Sequence, residues 1–201
     1  MSGIDLGIIG TGWCGGIRTA AAADHPLVCA LHIAEVRPER VAEVAAATRA
    51  RSATADQQAL LSRDEFAAVM ISATPETTHY PMACEALRAG KHVFFEKPIA
   101  MTLDEADELI ALARSSGRKF TIGYSQRFNP KYAHVRQAIA AGTIGRPVSA
   151  LISRHITRGL GKKISGRVKL SQAAMESTHD LDFLLWRLAS PRRSRSASIR
   201  K

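Results

Sequence analysis

Short apolar runs separated by stretches of helical periodicity set the rhythm of the first 125 residues. Ile4 to Ile9 is apolar enough to be buried on both faces and ends in glycines, the pattern of a parallel strand delivered into a tight turn. The alanine-rich stretch from Ile17 to Ala23 predicts a helix that Asp24-His25-Pro26 ends, and Leu27 to Ala34 predicts a second strand. Pro38 to Ala50 has helical spacing, Val69 to Ala73 reads as a strand stopped by Thr74-Pro75, and Tyr80 to Ala89 reads as a helix stopped by Gly90. Lys91 to Glu96 predicts the next strand, cut by Pro98. Thr102 with Glu105 three residues on is a capping-box signature for a helix over Ala106 to Ser115, and Lys119 to Tyr124 predicts another strand. This alternation predicts an α/β fold, a doubly wound parallel sheet covered on both faces, because each crossover must return a strand beside a parallel neighbour.

Past residue 125 the rhythm changes. Lys131 to Ala141 predicts a helix capped by Gly142, Pro147 to Ile156 a strand, and Gln172 to Leu188 a helix with apolar positions at Leu181, Phe183, Leu184, Leu185 and Leu188. One strand and two helices cannot make an independent sheet domain, since a lone strand has no partner for its backbone groups. The expected division is a dinucleotide-type domain over 1–125, an incomplete α+β domain over 126–189, and a basic tail over 190–201 expected to be disordered.

Composition adds little that is specific. With 201 residues and 46% hydrophobic content the chain can bury one good-sized core. The net charge of +10 is uneven: no Asp or Glu occurs between Leu109 and Met175, Arg154, Arg158, Lys162, Lys163, Arg167 and Lys169 crowd one loop, and the tail adds five more cations. A solvated loop and tail account for that excess. Nucleic acid is disfavoured as a partner, because the tail has no interleaved aromatics and no helix-turn-helix or zinc spacing occurs. No run of roughly 20 apolar residues and no signal-peptide pattern is present, so no membrane partner and a cytoplasmic location are expected. Cys14, Cys29 and Cys84 are odd in number and far apart, which argues for small buried thiols rather than disulfides or a metal site.

The chemistry concentrates first at Gly10-Thr11-Gly12-Trp13-Cys14-Gly15, between the first strand and the first helix. Gly10 permits a tight turn, Gly12 lets backbone approach a diphosphate, Gly15 lets helix pack on strand, and the helix N-terminus offers N–H groups to negative charge. Glu35 ends the second strand, where its carboxylate is expected to accept from adenosine ribose hydroxyls and so to favour NAD over NADP. Arg37 and Arg40 pull the other way, since a guanidinium can pair with the extra phosphate of NADP. Trp13 is expected to flank the diphosphate or nicotinamide.

Three further motifs follow: Thr74-Pro75-Glu76-Thr77-Thr78-His79, Ala89-Gly90-Lys91-His92-Val93-Phe94-Phe95-Glu96-Lys97-Pro98, and Gly123-Tyr124-Ser125-Gln126-Arg127-Phe128-Asn129-Pro130. Together with the glycine fingerprint these resemble the successive signatures of the glucose-fructose oxidoreductase and inositol dehydrogenase-like (Gfo/Idh/MocA) oxidoreductases. The resemblance runs from Ile4 to about Leu188. It implies a Rossmann domain followed by an open, mostly antiparallel sheet domain that holds the substrate and often the oligomer interface. It also implies hydride transfer between NAD(P) and a sugar, polyol, cyclitol or related alcohol.

For individual residues, the resemblance implies cofactor contacts from Gly10, Thr11, Gly12, Trp13, Cys14, Gly15, Glu35, Arg37, Thr74, Pro75, His79, Glu96, Lys97 and Arg127. Lys97 is expected to orient and electrostatically assist the substrate, and a cis bond before Pro98 would fix its side chain. His179 is expected to be the base, with Glu176 and Asp180 toward substrate and Asp182 capping or pairing locally. The family's acidic residue one helical turn before the histidine falls here at Met175, with Glu176 only three positions before it. His92 and His155 are expected to be structural. The family's second domain runs far past this helix, whereas the Ser/Arg stretch after Leu188 has no apolar periodicity. The expectation is therefore a frame truncated or frameshifted in its second domain, and the alternative to a working dehydrogenase is a catalytically inactive, cofactor-binding remnant.

Overall fold

In the computed structural model, which describes residues 3–155, 157–159 and 172–188, the chain divides into two compact units, Met1–Gly123 and Tyr124–Lys201. The first is built on β1 (Ile4–Ile9), β2 (Val28–Ala34), β3 (Ser52–Thr54), β4 (Ala68–Ile71), β5 (His92–Phe95) and β6 (Phe120–Ile122). These form one sheet in the order β3-β2-β1-β4-β5-β6, every pairing parallel. The order reverses between β1 and β4, and that switch point opens the crevice where α/β sheets take ligands. Helices α1 (Trp13–Ala23), α2 (Pro38–Thr48), α3 (Gln57–Leu61), α4 (His79–Arg88) and α5 (Leu103–Ser115) make the crossovers.

Strand alternation places the core on both faces of the sheet. On β1, Leu6 and Ile8 join Ala22 and Leu31 in one buried cluster. Ile9 points the other way, into a larger cluster with Val69, Ile71, Leu87, Val93, Phe95 and Leu109. Phe95 is fully buried, tilted against Phe120 at 5.1 Å and edge-on to the His79 ring at 5.9 Å. Lys91 is buried too, its Nζ donating to the carbonyl oxygens of Phe66 (3.0 Å) and Arg63, so the cation ends in hydrogen bonds rather than water. The capping box at α5 forms as expected: the Thr102 side chain accepts from the Glu105 backbone N–H, and the Glu105 side chain accepts from that of Thr102.

Apolar periodicity did not point to β3 and α3. A three-residue edge strand of sequence Ser-Ala-Thr has no apolar run, and α3 is a five-residue helix whose start is fixed by Asp56 accepting from the Gln58 N–H (2.8 Å). Helix α1 begins at Trp13 rather than Ile17, directly inside the glycine turn. The cysteine expectation is corrected: Cys84 is buried, but Cys14 and Cys29 are exposed.

In the second unit, α6 (Pro130–Ala140) starts on Asn129, whose Oδ1 accepts from the Lys131 N–H (3.0 Å), and α7 (Gln172–Leu188) supplies Phe183, whose ring is tilted against that of Tyr132 at 4.5 Å. The strand expected over Pro147 to Ile156 is corrected for residues 147–155, which form no strand. A strand is a paired object, and the described residues of this unit hold no ladder for it; Val148 and Leu151 stand exposed. Ile156, the cations from Lys162 to Lys169 and the tail over 190–201 lie outside the described residues. No helix among the described residues is long and apolar enough to cross a membrane.

Leu109→Ala, at a fully buried site, is expected to cost 2–5 kcal/mol, roughly, and Thr102→Ala about 1 kcal/mol. Urea denaturation of the two variants against the unaltered chain checks both, with the midpoint falling further for Leu109→Ala.

Candidate cofactor site

The glycine turn is shaped by close backbone approach. Gly10 has φ +83°, and a Cβ there would lie 2.6 Å from the Ala73 Cα; a Cβ on Gly15 would lie 2.1 Å from the Gly10 carbonyl oxygen. Neither position has room for a methyl group. Gly12 is different: a Cβ there would meet nothing within 4 Å. Two glycines are needed by the protein's own packing and the third borders open space. Gly12 is also the N-cap of α1 and contributes no side-chain cap, so the first N–H groups of an eleven-residue helix keep their positive end for an external anion. Ser72, 5% exposed, lies against the same turn with its Oγ buried and without a hydrogen-bond partner. An orphaned buried hydroxyl and a cradle free of Cβ atoms both fit a bound diphosphate.

Beside this turn an open pocket of about 700 Å³ is lined by Thr11, Gly12, Trp13, Ile17, Arg37 and Arg40 among others. Trp13 and Ile17 are largely exposed there, giving it an apolar wall. Glu35 is only 5% exposed, and both its oxygens have protein partners. Oε2 accepts from the Thr11 N–H and Oγ1, each at 2.8 Å, and Oε1 accepts from Arg37 Nε at 3.0 Å and the Arg37 N–H at 3.3 Å. Burial, the largest single influence, pushes this carboxyl upward, but the hydrogen bonds from Arg37 and Thr11 outweigh it and hold the group at about 2. Arg40 donates from Nε and Nη2 to the Thr11 carbonyl oxygen, each at 3.1 Å, and from Nη1 to Glu43.

Two proline loops follow β4 and β5, and both Thr74–Pro75 and Lys97–Pro98 are cis. His79 is buried between them, with Nε2 at 3.0 Å from the Ala73 carbonyl oxygen and Nδ1 at 3.1 Å from that of Pro98. The structure therefore places His79 as a tie between the loops, with Thr74 and Pro75 exposed and Lys97 half-buried. Glu96 pairs with Arg18 of α1 and accepts from the Lys97 backbone N–H at 3.2 Å.

The remaining candidates lie in the second unit. Arg127 forms a two-pronged pair with Asp182 (2.9 and 2.5 Å) and lies over the rings of Tyr124 and Trp186. The partner expected to be local for Asp182 is thus an arginine 55 positions earlier in the chain. Asp180 is held the same way by Arg154, which also reaches Glu176 at 3.7 Å, and that guanidinium draws the Asp180 carboxyl below its usual range. His179 lies on the same helix, α7, between the two paired carboxylates Glu176 and Asp182 in sequence. His92 accepts from the Lys119 N–H, and His155 is exposed beside Ser153. Sequence reading passed over Arg18, Ser72 and Arg154 as partners, since a lone arginine in an alanine-rich helix or a serine at a strand end carries no local signal.

Glu35 gives the site a pH signature. Its folded-state pKa is below the usual 4.5, so between about pH 5 and 2 the unfolded chain binds more protons, and stability rises with pH across that window. The stabilisation is present above the window and is lost as the pH falls through it. Glu35→Gln should lower stability at pH 7 and flatten the dependence between pH 5 and 2, measured by urea denaturation across that range.

The family described as "Oxidoreductase family, NAD-binding Rossmann fold" (Gfo/Idh/MocA) matches residues 4–124. An inositol 2-dehydrogenase of Rubrobacter xylanophilus is 32% identical over 147 residues, and an uncharacterised oxidoreductase of Bacillus subtilis is 31% identical over 144; each alignment covers 72% of this chain and 42% of the relative. An NAD binding oxidoreductase from Klebsiella pneumoniae superposes with a TM-score of 0.65 at 31% identity, covering 73% of this chain and 41% of that one. A scyllo-inositol dehydrogenase from Lactobacillus casei, solved with NAD(H) and scyllo-inositol, shares the fold at a TM-score of 0.77 and 22% identity, over 92% of this chain and 56% of that one. The chain thus spans about half the length of the relatives it matches. With the match running from the first strand to just past the sixth, the chain belongs to the Gfo/Idh/MocA oxidoreductase family.

Proposed function

We propose that the chain binds NAD(H) at the glycine turn and serves hydride transfer to or from a sugar, polyol, cyclitol or related alcohol. The observation that carries the reading is the turn itself: an uncapped helix N-terminus whose N-cap, Gly12, borders open space, with the orphaned Ser72 hydroxyl packed against Gly15. Trp13 and Arg37 line the pocket beside the turn, Arg37 with its charge matched by Glu35, and the reading assigns Cys14, Thr74 and Pro75 to the same cofactor. Arg37, the guanidinium that could meet a 2'-phosphate, is already paired with Glu35, which supports NAD(H) over NADP(H).

When bound, the nicotinamide accepts or returns the hydride. The chain's own residues handle the rest. Loss of hydride from a carbinol carbon leaves a carbonyl only when the hydroxyl proton also departs, so a base must take it, and His179 fills that role. The Lys97 ammonium stabilises the oxygen as negative charge gathers on it. Asp180 and Glu176, both held by Arg154, stand as substrate-side carboxylates of α7. The reading also assigns Arg127, paired with Asp182, a cofactor contact, and a homo-oligomer is in keeping with full-length members of the family.

Gly12→Val should leave the urea midpoint nearly unchanged, because its side chain enters open space, yet weaken NADH binding by about a hundredfold, roughly the equivalent of 2.7 kcal/mol. Gly15→Ala should instead destabilise the fold. NADH fluorescence titration beside NADPH, followed by cofactor reduction with a panel of polyols and sugars, tests the whole reading. Binding without turnover on any of them supports the non-catalytic cofactor-binding alternative, and no binding overturns both.

A further inference from the structure

Arg18 leaves α1 on the turn after Cys14, from the helix whose N-terminus faces the anion site. Its side chain is 21% exposed and meets three elements at once. Nη1 pairs with Glu96 Oε1, the guanidinium lies 5.4 Å above the Phe94 ring of β5, and Nη2 stands where a Cβ on Gly123, just past β6, would come within 3.1 Å. Only a planar fork uses an edge for a carboxylate and a face for a ring together. Glu96 is 13% exposed and also holds the backbone on either side of itself, since its Oε2 accepts from the N–H of Lys97 while its own N–H donates to the Ile71 carbonyl oxygen at 3.0 Å. On the far side of Lys97, the Pro98 carbonyl oxygen lies 3.1 Å from Nδ1 of the buried His79. The backbone that carries Lys97 is thus held on both sides, and the upstream hold ends at Arg18.

We propose that Arg18 is a positioning residue for Lys97. By occupying one oxygen of Glu96 it leaves the other to the Lys97 N–H, and so sets the backbone from which the Lys97 side chain reaches the nicotinamide side of the site. Because Arg18 sits on α1, the residue that steers Lys97 rides on the same helix that receives the diphosphate. The inference rests on the reading of Lys97 as a cofactor-side lysine.

The test uses the full chain, acetylation by acetic anhydride with lysine-by-lysine mass spectrometry, and NAD+ binding followed by tryptophan fluorescence. Lys91, buried with its Nζ bonded, is the internal check on folding, since it acetylates only when the sheet opens. In the unaltered chain NAD+ should slow Lys97 acetylation about tenfold. In Arg18→Met, NAD+ affinity should stay within about threefold while that protection falls below about twofold, and Arg18→Lys should restore part of it. Equal protection in Arg18→Met and the unaltered chain overturns the proposal. Should Arg18→Met expose Lys91, Arg18→Lys alone decides: reduced protection with Lys91 still shielded supports positioning, and full protection overturns it. NAD+ binding that leaves Lys97 unprotected in the unaltered chain removes Lys97 from the cofactor side and this inference with it, whereas no NAD+ binding overturns the cofactor reading itself.

Discussion

The backbone of Gly10 and that of Gly15 approach so closely that no methyl group fits between them, and the rest of the first unit is arranged around that contact. It seats α1 directly on the end of β1, which aims the helix N-terminus past Gly12 into open space. It also brings Thr11 to the end of β2, where Glu35 takes both its N–H and its hydroxyl, and to α2, where Arg40 takes its carbonyl oxygen. One residue of the turn therefore has every backbone polar group satisfied by side chains from two other elements, which holds the turn in shape before any ligand arrives.

The charges around the turn follow a single rule. Two carboxylates stand at strand ends facing the ligand side, Glu35 after β2 and Glu96 after β5, and each is matched by an arginine, Arg37 and Arg18. Left unmatched, either would offset the positive end of α1 and oppose an incoming anion. Paired, each becomes a hydrogen-bonding anchor: Glu35 for Thr11 and Glu96 for Lys97. The second unit repeats the pairing with Arg127–Asp182 and Arg154–Asp180, and there, as in Arg37–Glu35, the guanidinium donates to both carboxylate oxygens.

Much of the first unit was legible because strands buried on both faces read as continuous apolar runs, and glycine or proline marks their ends. Among its strands and α-helices, β3 and α3 were missed, one too short and polar, the other too short for a period. The candidate site was legible as a set of motifs but not as a set of contacts. Position alone makes Glu35 a candidate ribose acceptor; that its oxygens go to Thr11, 24 residues away, and to Arg37 is a consequence of the fold. Arg18 looks like the solvated face of an alanine-rich helix until β5 and β6 are placed beside it. The strand expected over Pro147 to Ile156 shows the opposite error, since alternating apolar residues specify a strand only where a neighbouring ladder exists, and Leu151 is instead 96% exposed.

The two outermost strands of the sheet, β3 and β6, are each only three residues long. An edge strand is a template on which foreign chains can add, and the strength of that template grows with the row of unpaired groups it presents. By ending on its shortest strands at both sides, the sheet offers an incoming strand too few bonds to hold on to. The Rossmann unit thus guards itself against runaway edge-to-edge association by brevity, with neither a proline nor a charged residue placed in either edge strand.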